Sequence, residues 1–180
     1  MKNCLFIVTE SRSANGICAA AAAEELKKRG YGVFAATNRE TGGVSFSDGI
    51  PVVTYRPRLY YRLAARAERA AGAAKKLLSL LSALSNRAAL FFGIPTWPLV
   101  SRGYCRRIFR TAYRLCIDEN IDTVIPVYTQ IDTVIAAVKI KKKLPGVRVI
   151  PYFLDSLSGG YGPRCFSHEW TVKRGLEWED

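Results

Sequence analysis

The sequence predicts an α/β fold, a doubly wound parallel sheet carrying a basic helical insert over residues 56–117. Three observations predict it. Short continuous apolar runs alternate with helix-length amphipathic segments at both ends of the chain, the pattern of parallel strands joined by right-handed crossovers. The middle third breaks that alternation with a long Ala/Leu-rich stretch. Charge is segregated as well. Of 27 Lys/Arg and 15 Asp/Glu, 13 bases and one acid (Glu68) lie between Arg56 and Arg114, which leaves 14 of each elsewhere and puts the whole net charge of +12 in that segment. A neutral scaffold with one basic docking surface is the expectation, and 180 residues suit a single domain, 1–180.

The elements follow in order. Residues 4–8 are an apolar run, a strand buried on both faces. A polar loop leads to a helix ending near Arg29, with Glu24 and Glu25 ahead of Lys27, Lys28 and Arg29 to suit its dipole, and Gly30 as the stop. Strands are expected over 31–36 and 51–55, separated by turn signals at Thr41-Gly42-Gly43 and Asp48-Gly49. Beyond the insert, a strand over 123–127 precedes a helix over 129–143. Pro145-Gly146 breaks that helix, and a strand over 147–154 follows. Ile-Asp-Thr-Val recurs at 121 and 131, an echo too short to be a repeat architecture. Residues 167–179 read as a helix without a terminator, so further protein is expected downstream.

Within the insert, one helix is expected over 57–92, bent or split at Gly72. Leu63, Ala67, Ala70, Ala74, Leu77, Leu81, Leu84, Ala88 and Phe91 form its apolar stripe, and Arg58, Arg62, Arg66, Arg69 and Lys76 lie on another side. A second helix over 103–119 sets Arg107, Arg110 and Arg114 opposite Ile108, Ala112 and Leu115. These stripes either pack on the sheet or on each other, or rest on an anionic membrane, or bind nucleic acid. Few polar readers accompany the arginines and no nucleic-acid module is present, so no nucleic-acid partner is expected. The eight bases just named are the candidate membrane-docking residues.

Several classes are argued against. No run is long and apolar enough to span a bilayer, and the N-terminus reads as a strand, not a signal peptide. Five cysteines without a C-x-x-C pair suggest free thiols and a cytoplasmic setting. The first loop is neither a Walker A sequence nor G-x-G-x-x-G, and Asn38 stands where an acidic ribose ligand would be expected. The only histidine, His168, precludes a His-based metal cluster, and no metal or cofactor is expected. What the pattern leaves is the carboxyl-end rim of the sheet. Ser13 or Asn15 could cap a helix whose N-terminus, with Gly16, admits an anionic or hydroxylated ligand, or simply end the loop. Tyr128 and Thr129 share that rim. Asp155, followed by a glycine-rich loop with Gly159 and Gly160, could bind sugar hydroxyls or take a proton, or cap its own turn.

Taken together, residues 2–36 and 118–179 resemble the N-terminal, acceptor-side domain of GT-B fold glycosyltransferases that use nucleotide sugars. The likeness rests on the strand-loop-Gly16-helix opening and Lys28-Arg29-Gly30-Tyr31-Gly32-Val33. It continues in Ile121-Asp122-Thr123-Val124-Ile125 ahead of a helix, and in Val149-Ile150-Pro151-Tyr152-Phe153-Leu154-Asp155. The resemblance implies sugar transfer from a nucleotide donor, as substrate and not cofactor, to an acceptor glycan or lipid-linked sugar. It implies most donor contacts on a C-terminal domain absent from this chain, and a place at the inner face of the plasma membrane. Many members have two glycines in the first loop, where only Gly16 stands here. Many have His-Asp where this chain has Leu154-Asp155, which leaves Asp155 as the candidate catalytic residue. The other reading is a stand-alone Rossmann-like or flavodoxin-like binding or regulatory domain whose insert docks a partner or nucleic acid.

Overall fold

The structure is a computed structural model, and it describes residues 2–9, 14–38, 46, 49–93, 101–129, 131–154, 167–170 and 172–173. Among the described residues the elements run in the order β1 (Asn3–Val8), α1 (Ala14–Lys28), β2 (Gly32–Asn38), β3 (Val52–Tyr55), α2 (Leu59–Arg69), α3 (Gly72–Gly93), α4 (Arg102–Asp118), β4 (Thr123–Pro126), α5 (Ile131–Lys143) and β5 (Arg148–Val149). They form two compact units. One joins Met1–Arg58 to Arg102–Tyr152, and the other joins Leu59–Ser101 to Phe153–Asp180. Residues 102–117, grouped with the insert by charge, therefore belong to the α/β unit.

That unit is a five-stranded sheet in the order β3-β2-β1-β4-β5. Every pairing is parallel, with Cys4 beside Val33 on one side and Thr123 on the other. The chain leaves β1 toward β2 in one direction and β4 toward β5 in the other. Right-handed crossovers then put α1 and α5 on opposite faces. On the α1 face, Phe6 and Val8 meet Ala19, Ala20 and Ala23, whose small side chains let the helix lie close to Val33 and Ala35. On the other face α4 packs along β1, β2 and β3 and α5 along β4 and β5. Tyr104, Ile108, Ala112 and Leu115 of α4 are buried there at helical spacing, with Arg110 and Arg114 exposed. Leu5, Ile7, Ile108 and Ile140 are fully buried. Each is worth about 2 kcal/mol relative to exposure.

Helix ends follow local rules. Gly30 has φ 84°, and a bond from its N–H to Lys27 O with one from Tyr31 N–H to Leu26 O closes α1. Asn120 plays the same part after α4 with φ 47°, and Ile121 N–H reaches Cys116 O. The strand expected over 147–154 is regular only at Arg148–Val149, yet its ladder continues. Arg148, Ile150 and Tyr152 donate to Asp122 O, Val124 O and Pro126 O. Pro151 falls between these donors, on the side facing away from β4, where a missing N–H costs no ladder bond.

In the second unit the helix expected over 57–92 is two helices. Gly72 adopts φ 58°, a left-handed conformation that breaks the path and turns the chain, so that α2 and α3 pack on each other. The continuous apolar stripe is therefore cut: Ala67 is buried, whereas Leu77, Leu81, Leu84 and Phe91 are exposed. The α3 side toward α2 carries Ser82, whose hydroxyl donates to Tyr60 O at 2.9 Å, with half-buried Leu78, Ser85 and Ala89 beside it. Near the C-terminus, Ser167 Oγ accepts from Trp170 N–H at 3.1 Å at the head of a helical turn.

Candidate functional site at the switch point of the sheet

Where crossovers leave neighbouring parallel strands in opposite directions, a crevice opens beyond their carboxyl ends. Here that point lies between β1 and β4. Thr9 follows β1 and is fully buried, and its hydroxyl meets that of Thr129, which follows β4. Asn15 lies in the first turn of α1, and its side-chain amide donates to Tyr128 O, tying the helix to the β4 loop. Helix α1 starts at Ala14, so Asn15 and Gly16 are inside it, both buried. Asn15 is thus not the cap that its position suggested but a cross-link between two rim segments.

A second layer braces this rim. Asn38, the last residue of β2, donates from Nδ2 to Thr9 O at 2.7 Å and accepts from Tyr104 Oη at 2.9 Å. Tyr55, the last residue of β3, donates to Val8 O at 2.8 Å, and Thr133 donates to Val127 O at 3.0 Å. Tyr55 and Tyr104 stand edge to face, centroids 5.9 Å apart. Burial, and then the neighbouring ring, holds the Tyr55 phenol well above its ordinary value. Burial raises Tyr104 as well, against the opposing Arg58 charge. Both stay protonated and act as donors.

Arg58 is the main correction to the expected docking set. It is not on a membrane-facing surface: the residue is 7% exposed, its guanidinium lies 3.6 Å from Asp132 Oδ2, and its Cζ sits 5.0 Å from the Tyr104 ring centroid. Asp132 is fully buried in the first turn of α5, so the charge balance is made inside the unit. Arg107 is partly drawn in too, donating to Arg56 O at 3.0 Å and Pro57 O at 3.4 Å, with its guanidinium 5.7 Å from the Tyr104 centroid. Arg110 and Arg114 are exposed on α4, Arg62 is half-buried, and Arg66, Arg69 and Lys76 are exposed on the helical hairpin.

Asn15, Gly16, Tyr128 and Thr129 are thus brought to one rim. Ser13, Asp155, Gly159 and Gly160 lie outside the described residues, and His168 is exposed in the other unit. Sequence reasoning did not single out Thr9, Tyr55, Tyr104 or Asp132 as site residues. Strand-end position marks Thr9 and Tyr55, but nothing local marks Tyr104, which sits in a helix read for its arginines. Thr37, in register with Val8, adds a buried hydroxyl without a hydrogen-bond partner among the described residues.

Chemically, the rim offers neutral hydroxyls and amides beside the positive end of α1, a combination suited to hydroxylated or anionic ligands. Among the described residues no cluster of three His, Cys, Asp or Glu side chains could hold a metal. An open groove of about 550 Å³ lies at the opposite edge of the sheet, where α4 and α5 end, lined by Cys116, Asn120, Asp122 and Lys143 among others. Its carboxylate, Asp122, accepts from Asn3 N–H at 2.9 Å and serves the strand start.

No family profile matches the sequence, and no curated protein matches it. Solved structures do. The calicheamicin glycosyltransferase CalG4 superposes with a TM-score of 0.54 at 15% identity, covering 98% of this chain and 37% of that protein. The Streptomyces sp. SF2575 glycosyltransferase SsfS6, solved with thymidine diphosphate, gives 0.49 at 16% identity over 98% of this chain and 43% of its own. The likeness to CalG4 carries the fold: the chain has a Rossmann-like α/β architecture similar to part of that glycosyltransferase and spans little more than a third of its length.

Proposed function

We propose that the chain is the acceptor-side part of a glycosyltransferase that moves a sugar from a nucleotide donor to an acceptor hydroxyl. The observation that carries this reading is the polar rim at the β1–β4 switch point, found on a glycosyltransferase-like fold. In this reading Thr129 meets the acceptor's hydroxyls, and the buried Thr9 and Asn15 hold Thr129 and Tyr128 in position for it. The α1 N-terminus, opened by Gly16, favours negative charge that develops as the nucleoside diphosphate departs. Asp155 is the residue proposed to contact the reacting hydroxyl and receive its proton. Ser13, Gly159 and Gly160 are proposed as further ligand contacts. Donor contacts would come from a second domain. The acceptor is proposed to be a lipid-linked sugar or envelope glycan, met by a peripheral enzyme at the cytoplasmic face of the membrane.

The test is release of nucleoside diphosphate by the complete protein across a panel of nucleotide sugars, with and without polyprenyl-linked acceptors. Acceptor-dependent release is expected, with Asp155→Asn lowering kcat by about a hundredfold. Asn15→Ala should raise the KM for acceptor by about tenfold, the worth of one hydrogen bond. Ligand binding without turnover on any acceptor would instead mark a binding or regulatory domain.

A further inference from the structure

Helix α3 is built inside out. At 100° per residue, Leu77, Leu80, Leu81, Leu84, Phe91 and Phe92 fall within one arc of about 120°. That arc is the one left uncovered: exposure runs from 42% at Leu81 to 78% at Phe92. The opposite side, toward α2, holds Ser82, Ser85 and Asn86 together with Leu78 and Ala89. A helix folding only to satisfy its own unit would bury the leucines and expose the serines. The exposed arc is bordered by Lys76 and Arg87 on one margin, and the 22 residues of α3 contain no acid.

We infer that α3 is an interfacial helix that lies in the plane of an anionic lipid bilayer, with its leucine and phenylalanine face among the acyl chains. Four features favour that occupant. The face is wide and aliphatic and ends on an aromatic pair, Phe91 and Phe92, whose rings stand edge to face at 5.6 Å. Lys76 and Arg87 sit where a shallowly embedded helix meets headgroup phosphates. Neither α3 nor any other helix among the described residues is long and apolar enough to cross a membrane, so the helix lies on the bilayer and does not pierce it. A twofold contact between copies would set Lys76 and Arg87 against each other with no acid on the helix to pair them. The arginines of α2 then supply attraction, and the apolar arc of α3 supplies insertion.

The inference rests on the membrane-face part of the proposed function, but it is read without sugar transfer. The 180-residue chain is mixed with vesicles of phosphatidylcholine alone, and of phosphatidylcholine with phosphatidylglycerol, across a salt series. Sedimentation with the anionic vesicles is expected, with a fraction that persists at high salt. Leu80→Asp with Leu84→Asp, at exposed sites that leave the fold intact by circular dichroism, should lower binding by at least about tenfold. Phe91→Trp should shift its emission to the blue on those vesicles and be quenched by brominated acyl chains. No binding to either vesicle would sink both the insertion and the membrane reading. Binding indifferent to the leucine changes, but lost on Arg62→Glu with Arg66→Glu and Arg69→Glu, would sink the insertion alone. A dimer in solution that the leucine changes dissociate would assign the face to a second copy and overturn the inference.

Discussion

Replacing Asp132 by alanine strips the buried Arg58 of its carboxylate. Arg58's side chain is 8% exposed and Asp132's is 0% exposed, so little water can take the carboxylate's place. Breaking a buried pair by removing one partner costs about 3–5 kcal/mol, mostly the penalty of the stranded charge. Two details put this site at the lower end. The pair is separated by 3.6 Å, longer than a tight ionic hydrogen bond, and the Tyr104 ring at 5.0 Å still offers its face to the cation. The expected loss is therefore about 3 kcal/mol, or a Tm lower by about 6–12 °C for a chain of this size. Urea unfolding followed by far-ultraviolet circular dichroism reads it directly. Arg58→Met with Asp132→Leu should recover most of the loss, because neither charge then remains to be solvated. A loss under about 1 kcal/mol in Asp132→Ala would refute the reasoning, since it would mean that the Arg58 charge reaches water by another route.

Other outcomes follow from the same brace. Tyr104→Phe leaves Asn38 Oδ1 without its donor and should cost about 1–2 kcal/mol, measured by the same unfolding assay. Alkali should destabilise the α/β unit. Burial raises Tyr55 and Tyr104 and pushes the Cys105 thiol to about 11 and the Cys116 thiol to about 12. These groups shed protons more readily when unfolded, so the stability they lend is intact below their unfolded values and falls as pH climbs toward the folded ones. A urea midpoint that declines above about pH 9, less steeply in Cys116→Ala, is the expected record. Gly72→Ala should cost about 1 kcal/mol by forcing a Cβ into the left-handed region, with no steric clash to add to it. Thermal melts of the helical hairpin would show that loss, and an unchanged melt would mean that the turn opens without it.

The α/β architecture was legible because its signals are local. An apolar run such as residues 4–8 reports burial on both faces, and Gly30 and Pro145-Gly146 act through their own dihedrals within a few residues. The rim was legible in part for the same reason. Asn15, Gly16, Tyr128 and Thr129 adjoin strand or helix ends, and parallel topology brings those ends to one side. The Asn15 bond to Tyr128 O spans 113 positions and left no local trace. Nor did the Asn38–Tyr104–Tyr55 brace, since each of these residues is ordinary in its own window.

Periodicity placed a continuous apolar stripe and a basic stripe in the middle third; Gly72 cuts the first, and burial of Arg58 shortens the second. What it could not decide is what each stripe faces. Arg58 has the spacing of a solvated arginine and is buried, because Asp132, far along the chain, offers it a charge inside the unit. The leucines of α3 have the spacing of a core and are exposed, because Gly72 folds the helix back and turns its serine side toward α2. The amino-acid order by itself determined which segments are strands and helices and where the charge lies, because backbone preference and side-chain period act over a few residues. Only the tertiary structure decided which face of each helix is covered, because that depends on partners that the order of residues does not place side by side.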